Sequence, residues 1–228
     1  ASDVYKRQIL TWKKEFNYSA INNFAVREAQ GEYLLFLNND VEIITENWLE
    51  EMLQLCQQKD VGMAGAKLYY PDDTIQHAGV VVGLGGVAAH VLCKLPRDAE
   101  GYMGRLRCVQ EISAVTAACM MVKTSVFKAV GGFDEELKVA FNDIDLCMKV
   151  RKYGVKIVFT PYAELYHYES KSRGMEDTPE KQLRFSREVN CFRRKWEREL
   201  LKGDPYYNPN LTLNNTDCSL RKQEKNGD

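Results

Sequence analysis

Apolar positions along the chain follow two rhythms, one helical and one of short unbroken runs. From Asn17 to Gln30, Ile21, Phe24, Ala25 and Ala29 recur at helical spacing, and Gly31 closes that helix. Tyr33 to Leu37 is then a continuous apolar run, which predicts a strand covered on both faces. Thr45 is placed to N-cap the next helix, which carries Trp48, Leu49, Met52, Leu53 and Cys56 along one side. VGMAGAKLYY (61–70) predicts another strand, and the turn PDDT opens a strand pair through IQHAGVVVGLGG. Residues 93–105 lose the rhythm, with Pro96, Gly101 and Gly104 among charges, and read as a mobile loop over a site. ISAVTAACMMVK (112–123) is the most buried-looking strand region, followed by a short helix over 124–130 and the turn GGFDEE. NDIDLCMKVRKYG (142–154) predicts a helix with Asn142 as N-cap, two Asp in its first turn and Gly154 at its end. VKIVFTP is a last strand, YAELYHYESKSRG a loop, and Thr178 to Leu201 a helix with Phe185, Val189, Phe192 and Trp196 on one stripe. This order predicts an α/β sheet, mostly parallel with an antiparallel part, that places ligands beyond the carboxyl ends of its strands.

Composition narrows the partners. The 228 residues are 45% hydrophobic and 11% aromatic, enough for one sizeable core or one domain plus a tail. Lys and Arg total 31 against 32 Asp and Glu, so no overall field draws the chain to nucleic acid or anionic lipid. Seven cysteines stand singly, several inside apolar runs, which favours reduced thiols and a cytosolic setting over disulfides or a zinc site. No apolar run approaches the roughly 20 residues of a membrane span, and no signal-peptide core is visible at the N-terminus. Residues 1–15 read as linker-like, and 204–228, rich in Asn, Lys and Asp, as a disordered tail.

Three polar clusters interrupt these elements where chemistry could sit. Asn38, Asn39 and Asp40 end the run 33–37 together. An Asp at a strand's carboxyl end can hold Mg²⁺ or Mn²⁺ against phosphate oxygens, and the same triplet can equally turn the chain and cap the next element. In FNDIDLC (141–147), Asp143 and Asp145 open a helix, where a carboxylate is positioned to act as a general base or simply to complement the dipole. The two point in different directions, so only one can face a substrate. LYHYESKSRG (165–174) brings His167, Glu169, Lys171 and Arg173 after a strand. A neutral imidazole suits a metal and basic side chains suit a diphosphate, while a loop histidine also serves as an ordinary hydrogen-bonding group. His77 and His90 read as structural. The glycines of GVVVGLGG lack strand-to-helix spacing, and no H-E-x-x-H, G-x-S-x-G or P-loop occurs. Aromatic and basic residues interleave only in RFSREVNCFRRKWERELLK (184–202), read as an amphipathic helix docking on its own domain, with membrane-surface attachment as the other reading. No nucleic-acid partner is expected.

Taken in order, FNYSAINNFAVREAQGEYLLFLNND, VGMAGAKLYYPDDTIQHAGVVVG, AVTAACMMVK, VFKAVGGFDEEL, AFNDIDLCMKVRKYG and TPYAELYHYESKSRG resemble a family 2 glycosyltransferase domain of GT-A fold. They look most like bacterial rhamnosyltransferase-type enzymes of O-antigen and other cell-surface polysaccharide assembly. The resemblance covers residues 16–174. It implies an α/β GT-A nucleotide-diphospho-sugar transferase fold over residues 16–175, a Rossmann-like mixed sheet flanked by helices, with 176–203 as a C-terminal amphipathic helix. Family domains begin with a strand like VSIVIPVYN and a second ending near VDNGS. Neither is visible, so the first two strands and a helix are expected to be missing.

The resemblance also assigns roles. Asn38-Asn39-Asp40 takes the place of the family's D-x-D motif, with Asp40 binding Mg²⁺ or Mn²⁺ on the donor diphosphate and Asn38 standing where the first Asp is usual. Asp143 falls where the family places its catalytic base, and Asn142 replaces the commoner Glu before it. His167 matches a position that completes the metal shell, Arg173 lies where a loop closes on the diphosphate, and Thr116 to Cys119, Ala117 included, resembles the wall behind the donor sugar. The implied reaction is a single inverting displacement from a nucleotide-diphosphate sugar, dTDP-rhamnose leading and UDP sugars behind it. The implied acceptor is a glycan or lipid-linked glycan at the cytoplasmic face of the cell membrane, with peripheral membrane association. The competing expectations are a truncated domain that only binds sugar nucleotide, and a nucleotidyltransferase-like enzyme, which would show a Gly-rich phosphate loop near its N-terminus.

Overall fold

In the computed structural model, which describes residues 8–169 and 178–222, one sheet carries helices on both faces. The elements in order are α1 (Tyr18–Val26), β1 (Tyr33–Leu37), β2 (Val41–Ile43), α2 (Trp48–Cys56), β3 (Val61–Tyr69), β4 (Ile75–His77), β5 (Val80–Val82) and β6 (Ala88–His90). They continue with β7 (Gln110–Glu111), β8 (Cys119–Lys123), α3 (Thr124–Ala129), α4 (Asn142–Tyr153), β9 (Lys156–His167), α5 (Pro179–Lys195) and α6 (Glu197–Lys202). The main sheet runs β1-β8-β3-β9-β2, with β4 also on β3 and β7 also on β9, while β5 and β6 form a separate hairpin. Met52, Leu55 and Cys56 of α2 cover one face through Ala64, Ala66 and Leu68; the other face buries Met63, Met120 and Val122 with α3, α4 and Phe192.

The sheet is mostly antiparallel, which corrects the expectation of a mostly parallel one. β8 runs against both β1 and β3, and β9 against β2 and β7; among the described residues only the β3–β9 pair is parallel. Both faces of β3 are covered, so every one of its nine residues is buried. An apolar run of that kind is the same in either direction, and the sequence pattern cannot tell them apart.

Several boundaries also move. β9 does not stop at Pro161 but runs on to His167, twelve residues in all from Lys156. Its ladder with β3 jumps from Gly65↔Phe159 to Lys67↔Glu164, so Pro161 sits in a bulge where its missing N–H breaks no ladder bond. Thr45 does not cap α2: its Oγ1 accepts the Glu164 N–H beside that bulge, and Asn47 precedes the helix without a side-chain cap. Asn142 lies inside α4 rather than capping it, with Phe141 before it. α1 ends at Val26, short of Gln30. The helix expected over 178–201 breaks at Trp196, whose buried indole turns inward to donate to Asp145 Oδ1 at 2.8 Å.

Residues 204–222, expected to be disordered, fold onto the domain instead. Asp204 Oδ2 accepts the Val82 N–H at 2.8 Å, Leu213 and Thr216 carbonyls accept Gly85 and Leu92 N–H groups, and Tyr207, Leu211 and Cys218 are buried. The polar composition of this segment hid its sparse apolar anchors. Residues 223–228 lie outside the described residues. The seven cysteines are free, and Cys56, Cys119, Cys147 and Cys218 are buried.

One glycine lets the segment before β8 cross the sheet closely. A Cβ at Gly65 would lie 2.3 Å from Val115 Cγ1 and 2.5 Å from Val115 Cβ. Gly65→Ala is therefore expected to cost about 1–3 kcal/mol of stability in urea denaturation, with Val115→Ala restoring part of the loss. Additive effects of the two substitutions would show that this contact does not set the crossing.

Candidate active site

Strand direction brings the polar clusters to one edge. β1, β3 and β9 share a direction while β8 opposes them, so the carboxyl ends of β1 and β9 meet the amino end of β8. There a cavity of about 840 Å³ is lined by Asn38, Asn39 and Asp40, by Thr116, Ala117 and Ala118, by His167 and Glu169, and across from them by Asn142 and Asp143. The Asn38 N–H donates to the Ala118 carbonyl at 3.0 Å, and the Tyr168 N–H to the Asp40 carbonyl at 2.8 Å. Main-chain bonds thus clamp the strand ends that carry Asp40 and His167.

The protonation pattern around His167 follows from its neighbours. Gln76 Nε2 donates to the His167 carbonyl at 3.3 Å and to Glu169 Oε2 at 3.4 Å, so Gln76 Oε1 is the atom that accepts from His167 Nδ1 at 2.7 Å. Nε2 is left with its lone pair. Asn38 Nδ2 donates to it at 3.1 Å, and Asp40 Oδ1 lies 3.2 Å away. That carboxylate oxygen is buried and takes no hydrogen bond. Burial pushes the His167 imidazole below its ordinary value, against the pull of the Asp40 and Glu169 carboxylates. A neutral imidazole and an orphaned carboxylate oxygen therefore face one another with no proton between them.

Such a pair fits a divalent cation, which would take both electron pairs. Among the described residues no three His, Cys, Asp or Glu side chains converge on one point. With two protein ligands, such an ion would take its remaining ligands from phosphate oxygens and water, the arrangement Mg²⁺-like ions favour on nucleotides.

Across the cavity, Asp143 is held by a strained entry into α4. Phe141 adopts a left-handed φ of 61°, and its ring packs on Phe185 and Phe192 of α5 at 5.7 and 5.5 Å. The buried Glu188 carboxylate of α5 accepts the N–H groups of Val139 and Ala140, both at 3.0 Å. Asp143 Oδ1 accepts from Ile144 N–H at 2.8 Å and Oδ2 from Ala117 N–H at 3.2 Å. Tyr18 donates to the Ala117 carbonyl at 3.2 Å, and burial together with the Asp143 charge raises its hydroxyl pKa. Asp145 instead points inward, fully buried against Lys149, Lys195 and Trp196. As the spacing predicts, one carboxylate faces the cavity and one does not.

The structure thus brings Asn38, Asn39, Asp40, Thr116, Ala117, Asp143 and His167 to one cavity; Arg173 lies outside the described residues. Sequence reasoning missed Gln76 and Glu188, whose neighbours are remote in the chain, and Phe185, read only as part of an apolar stripe. His77 is buried, as a structural histidine would be, but His90 lines the cavity.

Known proteins resemble this chain in sequence and in fold. The family described as "Glycosyltransferase like family" matches residues 2–188. The O-antigen biosynthesis protein RfbC of Myxococcus xanthus is 42% identical over 220 residues, covering 96% of this chain and 17% of that protein. The chain spans less than a quarter of the length of the curated relatives it first matches, 23% and 17%. Among solved structures, GalNAc-T7 with UDP, GalNAc and Mn²⁺ aligns with a TM-score of 0.60 at 13% identity, over 83% of this chain and 36% of that one. The mannosyltransferase PcManGT of Pyrobaculum calidifontis, in complex with GDP-Man and Mn²⁺, aligns at 0.54 and 15% identity, over 82% and 45%. The fold is thus that of the GT-A glycosyltransferases, and the chain belongs to glycosyltransferase family 2.

Proposed function

We propose that this chain is the catalytic part of an inverting, metal-dependent glycosyltransferase that moves a sugar from a nucleotide-diphosphate donor to a glycan hydroxyl. The observation that carries it is the placement of Asp143 across one cavity from the Asp40–His167 pair. Asp143 takes the proton of the acceptor hydroxyl as that oxygen attacks the anomeric carbon. The bond from the anomeric carbon to the phosphate oxygen breaks on the opposite face, and the nucleoside diphosphate leaves with its electron pair. Asp40 and His167 hold Mg²⁺ or Mn²⁺, which when bound offsets charge on the leaving diphosphate. Asn38 and Asn39 contact the donor beside them, Thr116 and Ala117 form the wall behind its sugar, and the Ala117 N–H keeps Asp143 in place. Arg173 closes on the diphosphate.

The donor we favour is dTDP-rhamnose, and the acceptor a lipid-linked glycan met at the cytoplasmic face of the membrane. The similarity to RfbC supports a place in O-antigen-type assembly. Among the described residues no helix is long and apolar enough to cross a membrane. Phe192 and Glu188 of α5 are buried against their own domain, which favours the docking reading of that helix.

The test is sugar transfer from dTDP-rhamnose, UDP-glucose and GDP-mannose with Mn²⁺, using the chain. Asp40→Ala is expected to weaken Mn²⁺ binding in the presence of nucleoside diphosphate by about 10–100-fold, read by electron paramagnetic resonance of free Mn²⁺. Unchanged Mn²⁺ affinity would remove Asp40 from the metal site. Failure of the chain to bind or turn over any of the three donors would leave the catalytic assignment without support.

A further inference from the structure

His77 and His90 form a dyad that the reaction above does not use. His77 is fully buried on β4, and His90 ends β6 in the wall of the cavity. Their Nδ1 atoms are 2.9 Å apart with the rings at 82°. One proton lies between them, and the next residue inward decides whose it is. The Thr116 N–H donates to His77 Nε2 at 3.4 Å, so that nitrogen is unprotonated and neutral His77 carries its proton on Nδ1. His77 Nδ1–H therefore donates to His90 Nδ1. Neutral His90 must then carry its own proton on Nε2. Nε2 has no hydrogen-bond partner among the described residues and is not one of the buried unsatisfied atoms, so it opens onto the cavity.

The dyad also resists changing polarity. Burial holds both imidazoles below their ordinary value, His77 well below. A second proton on His90 would set two N–H groups against each other across 2.9 Å. The wall beside His90 is small and apolar, made by Val80, Ala88 and Ala89, and the Asp143 and Glu169 carboxylates both act on the imidazole. A phosphate here would meet two carboxylates with only a neutral ring to receive it. A hydroxyl carries no such penalty, and its carbon skeleton would rest on the alanines.

We propose that His90 is a sugar-binding residue: its Nε2–H donates to a hydroxyl oxygen of the transferred hexose, and His77, anchored on the Thr116 N–H, fixes the tautomer that makes it a donor. The proposal rests on the glycosyltransferase reading of the cavity. His77 acts as a positioning residue.

Two measurements test it. Long-range ¹H–¹⁵N spectra of the histidine-labelled chain, with His77→Gln and His90→Gln for assignment, are expected to show neutral His77 protonated at Nδ1 and neutral His90 at Nε2 near pH ~7. A cationic His90, or the opposite tautomer, overturns the proposal. Calorimetry on the chain with Mn²⁺ then compares dTDP-rhamnose with dTDP, or UDP-glucose with UDP and GDP-mannose with GDP where those bind better. His90→Phe is expected to weaken the nucleotide sugar about 3- to 10-fold, the worth of one neutral hydrogen bond, and to leave the nucleoside diphosphate unchanged. His90→Gln, which keeps an N–H donor, should recover part of that loss. Equal losses for both ligands, no loss for either, or an effect confined to the acceptor's KM would each overturn it. If wild type binds none of these ligands, the glycosyltransferase reading fails first and this inference with it. Wild-type binding with an indifferent His90→Phe sinks only the inference.

Discussion

Asp143→Asn is expected to lower sugar transfer by about 10²–10⁴-fold while leaving the affinity for the nucleotide sugar near the wild-type value. The amide keeps the shape of the carboxylate but cannot take the acceptor's proton. It also has one oxygen for two backbone donors, the N–H groups of Ile144 and Ala117, which Asp143 satisfies with two. A stability loss of about 1 kcal/mol should therefore accompany the rate loss, and denaturation separates the two. In the proposed reaction donor binding draws on the opposite wall, with Asp40 and His167, so a matching collapse of donor affinity would mean that Asp143 holds the donor instead. Transfer close to wild type would end its assignment as the base.

The second large effect is expected far from the reacting atoms. Glu188→Ala should destabilise the fold by about 2–5 kcal/mol, because the N–H groups of Val139 and Ala140 both lose a buried acceptor. Those residues lead into Phe141, whose left-handed backbone must be held by its surroundings, here the α5 carboxylate and the rings of Phe185 and Phe192. Releasing them lets the first turn of α4 relax and moves Asp143. Transfer per folded molecule is thus expected to fall as well, with kcat affected more than the donor's KM. Glu188→Gln, able to accept only one of the two N–H groups, should lie between. If Glu188→Ala lowers the denaturation midpoint but leaves kcat intact, the link from α5 to Asp143 is wrong.

Much of the site was legible residue by residue. Asp40 follows an apolar strand and Asp143 sits in a first helical turn, both local patterns, whereas His167, read in a loop after a strand, is the last residue of β9. Other parts were hidden for identifiable reasons. Pro161 looked like the end of a strand because proline cannot donate to a ladder, whereas the bulge beside Lys67 makes that donor unnecessary and carries β9 on to His167. The tail 204–222 looked disordered by composition, yet a few apolar anchors and backbone bonds to the loops after β5 and β6 suffice to fix it. His90 passed as structural because neither its partner His77 nor the Thr116 N–H that orients the pair is near it in the chain.

The sequence by itself determined the approximate place of most helices and longer strands, the carboxylates Asp40 and Asp143 near their ends and, through several short motifs in order, the family. These depend on a few neighbouring residues, since side-chain direction repeats every 3.6 residues in a helix and every two in a strand. Only the tertiary structure decided which strand ends share an edge, which proton each histidine carries and which helix holds the strained turn before Asp143. Strand direction leaves no local trace in strands buried on both faces, and a tautomer is set by partners that only folding brings within hydrogen-bond reach.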